Sequence, residues 1–312
     1  MSRHIIILKP RLDVPFKNLG PVPTHRGPIT PLRQHWLKVI DFLKFKHECF
    51  LDKVTVYEKP LWQFTPELVK SLDADTIYVP HHCRKTFDPN GEMANVLYYM
   101  QMVFPYLFQV DRIGWCADAS VWPIQPTEKY DPNTFVQLQK EAMNGVSKMD
   151  QPSMDVINPF MDYIFFPCQL PHDQTITLHS DVTVPEALQR TIDFAKKVHK
   201  HILIKPHPAN PGSMAPLYEI YKNCGYDKAH WVDRYNIHSC IQQSAAVFSV
   251  NSGVGMESLL HNKPVFCYGR ADYAAVSHFV DDSLDEKWEN RNIHIPQYAA
   301  FIDAYVNKMI RV

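Results

Sequence analysis

The run Val247–Arg270, VFSVNSGVGMESLLHNKPVFCYGR, admits few folds. Apolar Val247–Val250 reads as a buried strand, Asn251-Ser252-Gly253-Val254-Gly255 as a small-residue turn, Met256–His261 as a helix and Pro264–Cys267 as the next strand. A strand, a helix and a second strand this closely spaced belong to an α/β sheet. HILIKPHPANP, some forty residues earlier, reads as another buried strand, His201–Lys205, that ends in a proline-stiffened loop. A site is expected where the two loops meet.

The same alternation runs through the rest of the chain. His4–Leu8 is a short apolar strand, and the segment after it, to about Thr30, holds five prolines and two glycines and reads as a loop. Gln34–Phe45 has Trp36, Val39, Ile40 and Leu43 at helical spacing. Lys53–Tyr57 and Asp75–Val79 read as strands, with a helix over Thr65–Leu72 that opens on Thr65-Pro66 as cap and first-turn proline. Met93–Val103 is expected to be helical, Tyr106–Val110 a strand, Trp122–Asn133 a loop and Thr134–Met143 a helix. In the second half the strands are placed at Tyr163–Pro167, His201–Lys205, His230–Val232, Val247–Val250 and Pro264–Cys267. Helices fall at Val184–Val198, Met214–Asn223, Ile237–Gln243 and Met256–His261, and Gln297–Ile310 closes the chain as a helix. The expected architecture is α/β, two Rossmann-like domains over 1–150 and 151–312 facing each other across a cleft.

Composition bounds the function. With 32 basic and 33 acidic side chains the formal net charge is -1, so nothing global attracts nucleic acid, and any anion site must be local. The seven cysteines stand singly without a CxxC pair, which favours a reducing compartment and a cytoplasmic location. Ile5–Leu8 is too short for a signal peptide or a spanning helix. Sixteen histidines show no metal-ligand spacing, and neither metal nor cofactor is expected.

A strand that delivers Asn251, Ser252 and Gly253 to a helix start presents free backbone N–H groups and the positive end of the helix dipole, which suit a phosphate. Ser252 can donate to a phosphate oxygen, and Glu257, one turn on, can accept from ribose hydroxyls. The same residues also suit a plain strand-to-helix connection with Ser or Asn as its cap. Lys205 and His207 end a strand on the same side of the sheet and can meet phosphate or a sugar hydroxyl, although His207 also fits an incidental surface loop. His81, His82 and Arg84 follow the strand Asp75–Val79 and can bind an anionic acceptor, or simply form a solvated loop. Cys116 has no sequence partner that would make it a nucleophile.

Pro167-Cys168-Gln169, Asp173-Gln174, His179-Ser180, KPHP and NSGVGMESLLHNKPVFCYG with Tyr273 occur in an order and spacing that resembles the capsule polysaccharide biosynthesis proteins of the KpsC and KpsS type. The resemblance runs from about Tyr163 to Tyr273. It implies a GT-B-like, metal-independent glycosyltransferase that takes 3-deoxy-D-manno-octulosonic acid (Kdo), or a related acidic sugar, from a CMP donor. The donor would lie in the C-terminal half, and a glycan or glycolipid acceptor mainly in the N-terminal half.

By the same resemblance Lys205 and His207 meet donor phosphate or sugar carboxylate, Asn251, Ser252 and Gly253 line the phosphate turn, and Glu257 holds the ribose. Gln169 and Asp173 lie near the base or the cleft. The family prefers Ser where Asn251 stands. For its retaining members the resemblance implies an acid in an Arg…Glu-Asp-Gly-Phe stretch as nucleophile. The counterpart here is Arg112-Ile-Gly-Trp-Cys-Ala-Asp118-Ala-Ser120, which keeps the Asp but not its Glu and Gly neighbours. Asp118 is thus the expected covalent nucleophile, with Asp111 the second candidate. Asp118 also suits a turn cap. A UDP- or GDP-sugar transferase and a noncatalytic glycan- or nucleotide-binding partner of an assembly complex are the alternatives. Peripheral association with the inner face of a membrane is a further expectation.

Overall fold

The computed structural model describes residues 2–11, 30–149, 151–154, 162–208, 211–292 and 294–312. The proline-rich loop expected before Thr30 lies outside them from residue 12 on. The described residues group into two compact units that part between Trp122 and Pro123, with Val306–Val312 returning to the first. The helix expected at Thr134–Met143 therefore groups with the second unit.

The first unit runs β1 (His4–Pro10), α1 (Thr30–Glu48), β2 (Lys53–Lys59), α2 (Pro66–Lys70), β3 (Thr76–Pro80), α3 (Arg84–Phe87), β4 (Val96–Gln101) and β5 (Leu107–Asp111). Ile5 to Leu8 are at most 1% exposed, as a central strand covered on both faces requires. α2 starts where the sequence places it, since the Thr65 side chain accepts from Leu68 N and proline takes the first turn. β1, β2, β3 and β4 are parallel, and β5 turns back antiparallel to β4.

The helix expected over Met93–Val103 is absent; Val96–Gln101 is strand β4. Tyr98 packs with Ile6, Leu8 and Val79, while Tyr99 packs on the other face with Ile5, Ile7 and Trp36. Adjacent aromatics buried on opposite faces need a period of two, which no helix provides. Tyr99 also donates its hydroxyl to Leu8 O at 2.5 Å.

The second unit contains α4 (Pro132–Met143), β6 (Tyr163–Pro167), α5 (Gln174–His179), α6 (Val184–Lys197), β7 (Ile202–Lys205), α7 (Ala215–Asn223), β8 (Ala229–Trp231), α8 (Ile237–Gln242), β9 (Ser244–Ser249), α9 (Gly253–Leu260), β10 (Val265–Cys267), β11 (His278–Phe279), α10 (Leu284–Glu289) and most of α11 (Ile295–Lys308). α6 buries Val184, Ala187, Leu188, Thr191, Ile192 and Ala195 along one stripe. Each fully buried Val, Leu or Ile side chain of such a stripe contributes about 1.5–3 kcal/mol. All strands of this sheet are parallel, in the order β11-β10-β9-β6-β7-β8. Counted along the chain from β6, this is the doubly wound order 3-2-1-4-5-6 read from β8. Beyond α11, β12 (Ile310–Arg311) joins the first sheet antiparallel to β5. That sheet is mixed at one edge, where the sequence pattern led to a parallel one.

Candidate functional site

In a doubly wound sheet the carboxyl ends of the strands open a crevice where the strand order reverses, here between β6 and β9. The side chains that follow these two strands hold each other. Gln169 Nε2 donates to Asn251 Oδ1 at 2.9 Å, and Asn251 N donates to Gln169 Oε1 at 3.0 Å. Asn251 Nδ2 donates further to Thr175 O at 2.7 Å and to Arg270 O at 3.3 Å. Asn251 thus joins the loops after β6 and β10 to the start of α5. Its polar atoms are engaged within the protein, so the side chain fixes the turn.

The turn leads directly into α9, which begins at Gly253, three residues before the expected helix start. Ser252 is its cap, the hydroxyl accepting from Val254 N at 3.2 Å and keeping its own proton to donate. Tyr273 donates to Ser252 O at 2.6 Å. Its ring lies so close over Gly255 that a Cβ there would meet the phenol oxygen at 2.1 Å. Only glycine fits beneath this ring, which fixes the direction of the first turn. Glu257 is 7% exposed, and its Oε1 accepts from Ser147 at 2.9 Å.

Lys205 ends β7 beside Pro167 of β6. It is 8% exposed, and among the described residues its ammonium has one hydrogen-bond partner, Asp233 O at 3.3 Å. Burial lowers its pKa. The nearby Asp233 charge favours the ammonium without outweighing burial, and an anionic ligand would compensate it further. His207 follows two residues on, half-buried, its N–H directed to Met214 Sδ at 3.3 Å. Burial pushes the imidazole down to about 4, with Lys148 and His172 adding to the effect and Asp173 opposing it. It is therefore neutral at neutral pH and can both donate and accept. Asp173 caps α5, with Oδ1 accepting from Thr175 N and Thr175 Oγ1, both at 2.9 Å. Sequence reasoning missed Ser147 and the packing role of Tyr273. Ser147 belongs to no periodic segment, and only the folded chain shows what lies near it.

In the first unit His81 and Asp118 lie on neighbouring segments. His81 (φ 58) stacks on Trp36 at 5.4 Å and has Trp115 at 6.3 Å. Arg84 N donates to Ile113 O at 2.6 Å. His82 packs on Phe87 at 4.6 Å, and burial lowers its pKa to about 4. Arg84 is exposed, with its guanidinium against Gly91. Asp111 is buried and accepts from Ile113 N, Gly114 N, Ser120 N and the Ser120 hydroxyl, so it organises the loop. Asp118 ends a short 3-10 turn and is half-buried. Among the described residues no group of three or more His, Cys, Asp or Glu could hold a metal.

A family model described as "Capsule polysaccharide biosynthesis protein" matches residues 136–312, more than half of the chain. Two capsule polysaccharide modification proteins LipA, from Neisseria meningitidis serogroups B and A, are each 29% identical over 162 residues, 48% of this chain and 22% of theirs. The matched segment thus spans about a fifth of the length of these curated relatives. A solved Thermosulfurimonas dismutans KpsC structure, a β-Kdo 2,7 transferase, has 16% sequence identity and a TM-score of 0.52, covering 99% of this chain and 92% of that one. The likeness shows the fold, which is α/β with two Rossmann-type sheets and GT-B-like, as the sequence led us to expect.

Proposed function

We propose, since this chain belongs to the family of capsule polysaccharide biosynthesis proteins, that it is a glycosyltransferase taking Kdo or a related acidic sugar from a CMP donor. The acceptor is a cell-surface polysaccharide or glycolipid. The observation that carries this reading is the buried Lys205 ammonium at the carboxyl edge of a doubly wound sheet whose switch-point turn opens a helix. Ser252 and the first-turn N–H groups of α9 meet the phosphate, neutral His207 donates to a phosphate oxygen or sugar carboxylate, and Glu257 accepts from the ribose. Gln169 and Asn251 act by holding the turn, and Asp173 by keeping a carboxylate near His207.

In the retaining form of this chemistry the Asp118 carboxylate attacks the anomeric carbon, and the bond to phosphate breaks with CMP leaving as the anion. An acceptor hydroxyl then displaces the carboxylate, which is regenerated as the anion, and gives up its proton to solvent. His81, His82 and Arg84 bind the anionic acceptor. No metal takes part. The protein works in the cytoplasm, peripherally at the inner membrane face; no helix among the described residues is long and apolar enough to cross a membrane.

Thermal stabilisation by CMP, UDP and GDP followed by mass spectrometry with the matching activated sugar tests this. Preferential stabilisation by CMP and a sugar-sized adduct on Asp118 are expected. Preference for UDP or GDP moves the donor class, and nucleotide binding without turnover makes the chain a noncatalytic partner.

A further inference from the structure

α1 ends in a Schellman turn. The Leu51 N–H donates to Glu48 O at 3.0 Å and the Asp52 N–H to His47 O at 3.2 Å. Leu51 itself stands in the left-handed region, with φ 59, a place usually taken by glycine or asparagine because a bulky side chain is strained there. The turn is firmly held all the same. Asp52 is buried, accepting from the Arg3 guanidinium at 2.8 Å and from His47 Nδ1 at 2.9 Å, while His47 Nε2 accepts from the Tyr78 hydroxyl at 2.9 Å. The Ser2 hydroxyl donates to Leu51 O at 2.7 Å.

What this anchored turn holds out is apolar. Leu51 is 83% exposed, Phe50 70%, and Phe45, one helical turn before Cys49, 67%. Folding gains little from side chains so exposed, and glycine at position 51 would relieve both the strain and the exposure. Single exposed apolar residues are ordinary, but a group of large ones on one rigid turn marks a contact surface.

The surrounding charge says what covers it. Exposed Lys44 and Lys46 flank Phe45, and exposed Lys53 opens β2 directly after the turn. Lys44 is 3.7 Å from Glu48, whereas Lys46 and Lys53 have no ion-pair partner among the described residues. The Asp52 carboxylate is turned inward to Arg3. Asp41 lies a further turn back along α1, and Asp73 and Asp75 precede β3, which β1 separates from β2. An apolar tip beside unpaired lysines complements an anionic bilayer, whose acyl boundary takes the apolar side chains while the ammonium groups stay among the phosphates. A second copy packed tip to tip would set these lysines against each other.

We infer that the turn between α1 and β2 is a membrane-docking tip, with Phe45, Phe50 and Leu51 entering the headgroup region of an anionic bilayer and Lys44, Lys46 and Lys53 meeting its phosphates. The inference rests on the peripheral location proposed above and not on the nucleotide chemistry. The turn stands at the amino ends of β1 and β2, whereas His81, His82 and Arg84 follow the carboxyl end of β3, parallel to them in the same sheet. Docking therefore leaves the carboxyl edge of that sheet uncovered.

The test uses the whole chain and flotation with vesicles of phosphatidylcholine alone and of equal parts phosphatidylcholine and phosphatidylglycerol. The wild type is expected to bind the mixed vesicles about tenfold or more tightly than the neutral ones. Phe50→Ser combined with Leu51→Gly lowers binding to the mixed vesicles about tenfold or more, and so does Lys46→Gln combined with Lys53→Gln. Leu51→Gly alone weakens vesicle binding while keeping or raising the denaturation midpoint, which separates lost docking from lost folding. Equal binding of the wild type and the Phe50→Ser, Leu51→Gly protein to the mixed vesicles overturns the inference and leaves the peripheral location standing. If the wild type does not bind the mixed vesicles, both fall. A lipid-free dimer in sedimentation velocity that Phe50→Ser with Leu51→Gly dissociates would make the tip a self-association surface and also overturn the inference.

Discussion

The turn at the second sheet and the histidines at the first are held by different means. In the second, strands β6, β7, β9 and β10 all run the same way, and the loops at their carboxyl ends are tied by polar side chains, Gln169 to Asn251 and Asn251 to Thr175 and Arg270. In the first, β5 turns back on β4, and the histidines after β3 are held by rings: His81 on Trp36 and His82 on Phe87. Directional bonds fix a turn to a few tenths of an ångström, as recognition of a phosphate requires. Ring packing tolerates more adjustment and suits a surface that meets a larger, more variable ligand. On the proposed reading the second unit supplies the small-ligand site, and the histidines of the first unit a broader contact surface.

The largest effect that would sharpen this contrast lies in the first unit. Asp111→Ala leaves the Ile113, Gly114 and Ser120 N–H groups and the Ser120 hydroxyl without their acceptor, and is expected to destabilise by about 2–4 kcal/mol in denaturant titrations. Asp118→Asn should leave the denaturation midpoint unchanged while abolishing transfer. Equal stability losses for the two would remove the distinction between loop organiser and nucleophile. Gly255→Ala comes next, since its Cβ would collide with the buried Tyr273 ring; about 2–3 kcal/mol and loss of nucleotide stabilisation are expected. Asn251→Ala removes the bonds at the switch point and should cost about 1–2 kcal/mol, with nucleotide affinity falling more than stability does.

The smallest expected effect is on pH dependence. His207 has a folded pKa of about 4 against an ordinary 6.5, so between these values the unfolded chain binds the extra proton. Its contribution to stability is complete above about 6.5 and is lost as the pH falls toward 4. Urea titrations from pH 7 to 4 should show a shallower decline for His207→Gln than for the wild type. An unchanged slope would show that His207 is solvated like the surface histidines.

How much of this the residues announced follows the same division. In the second half, short apolar runs such as Tyr163–Pro167 are buried on both faces and can only be central strands, and α6 shows its stripe plainly. Ser252 and Gly253 marked the turn because small residues are what a strand-to-helix anion turn needs. The run Met93–Val103 misled because its apolar residues are too dense to display a period. Whether Tyr98 and Tyr99 point to one face or two depends on partners that the local sequence does not contain. α5 was missed although its cap, Asp173 two residues before Thr175, stood in the sequence. The Asn251 bonds were beyond reach because their partners lie far along the chain. Asn251 was expected to touch the donor directly, and its saturated amide gives it a part in shaping the turn.

The central claim is that the carboxyl edge of the second sheet binds the phosphate of a nucleotide through Lys205. Calorimetric titration of CMP into the wild type and into Lys205→Ala tests it most directly. Saturable binding to the wild type, tighter than that of UDP or GDP, with affinity lost in Lys205→Ala and cytidine binding spared, is the expected result. CMP binding of equal affinity in both proteins would contradict it.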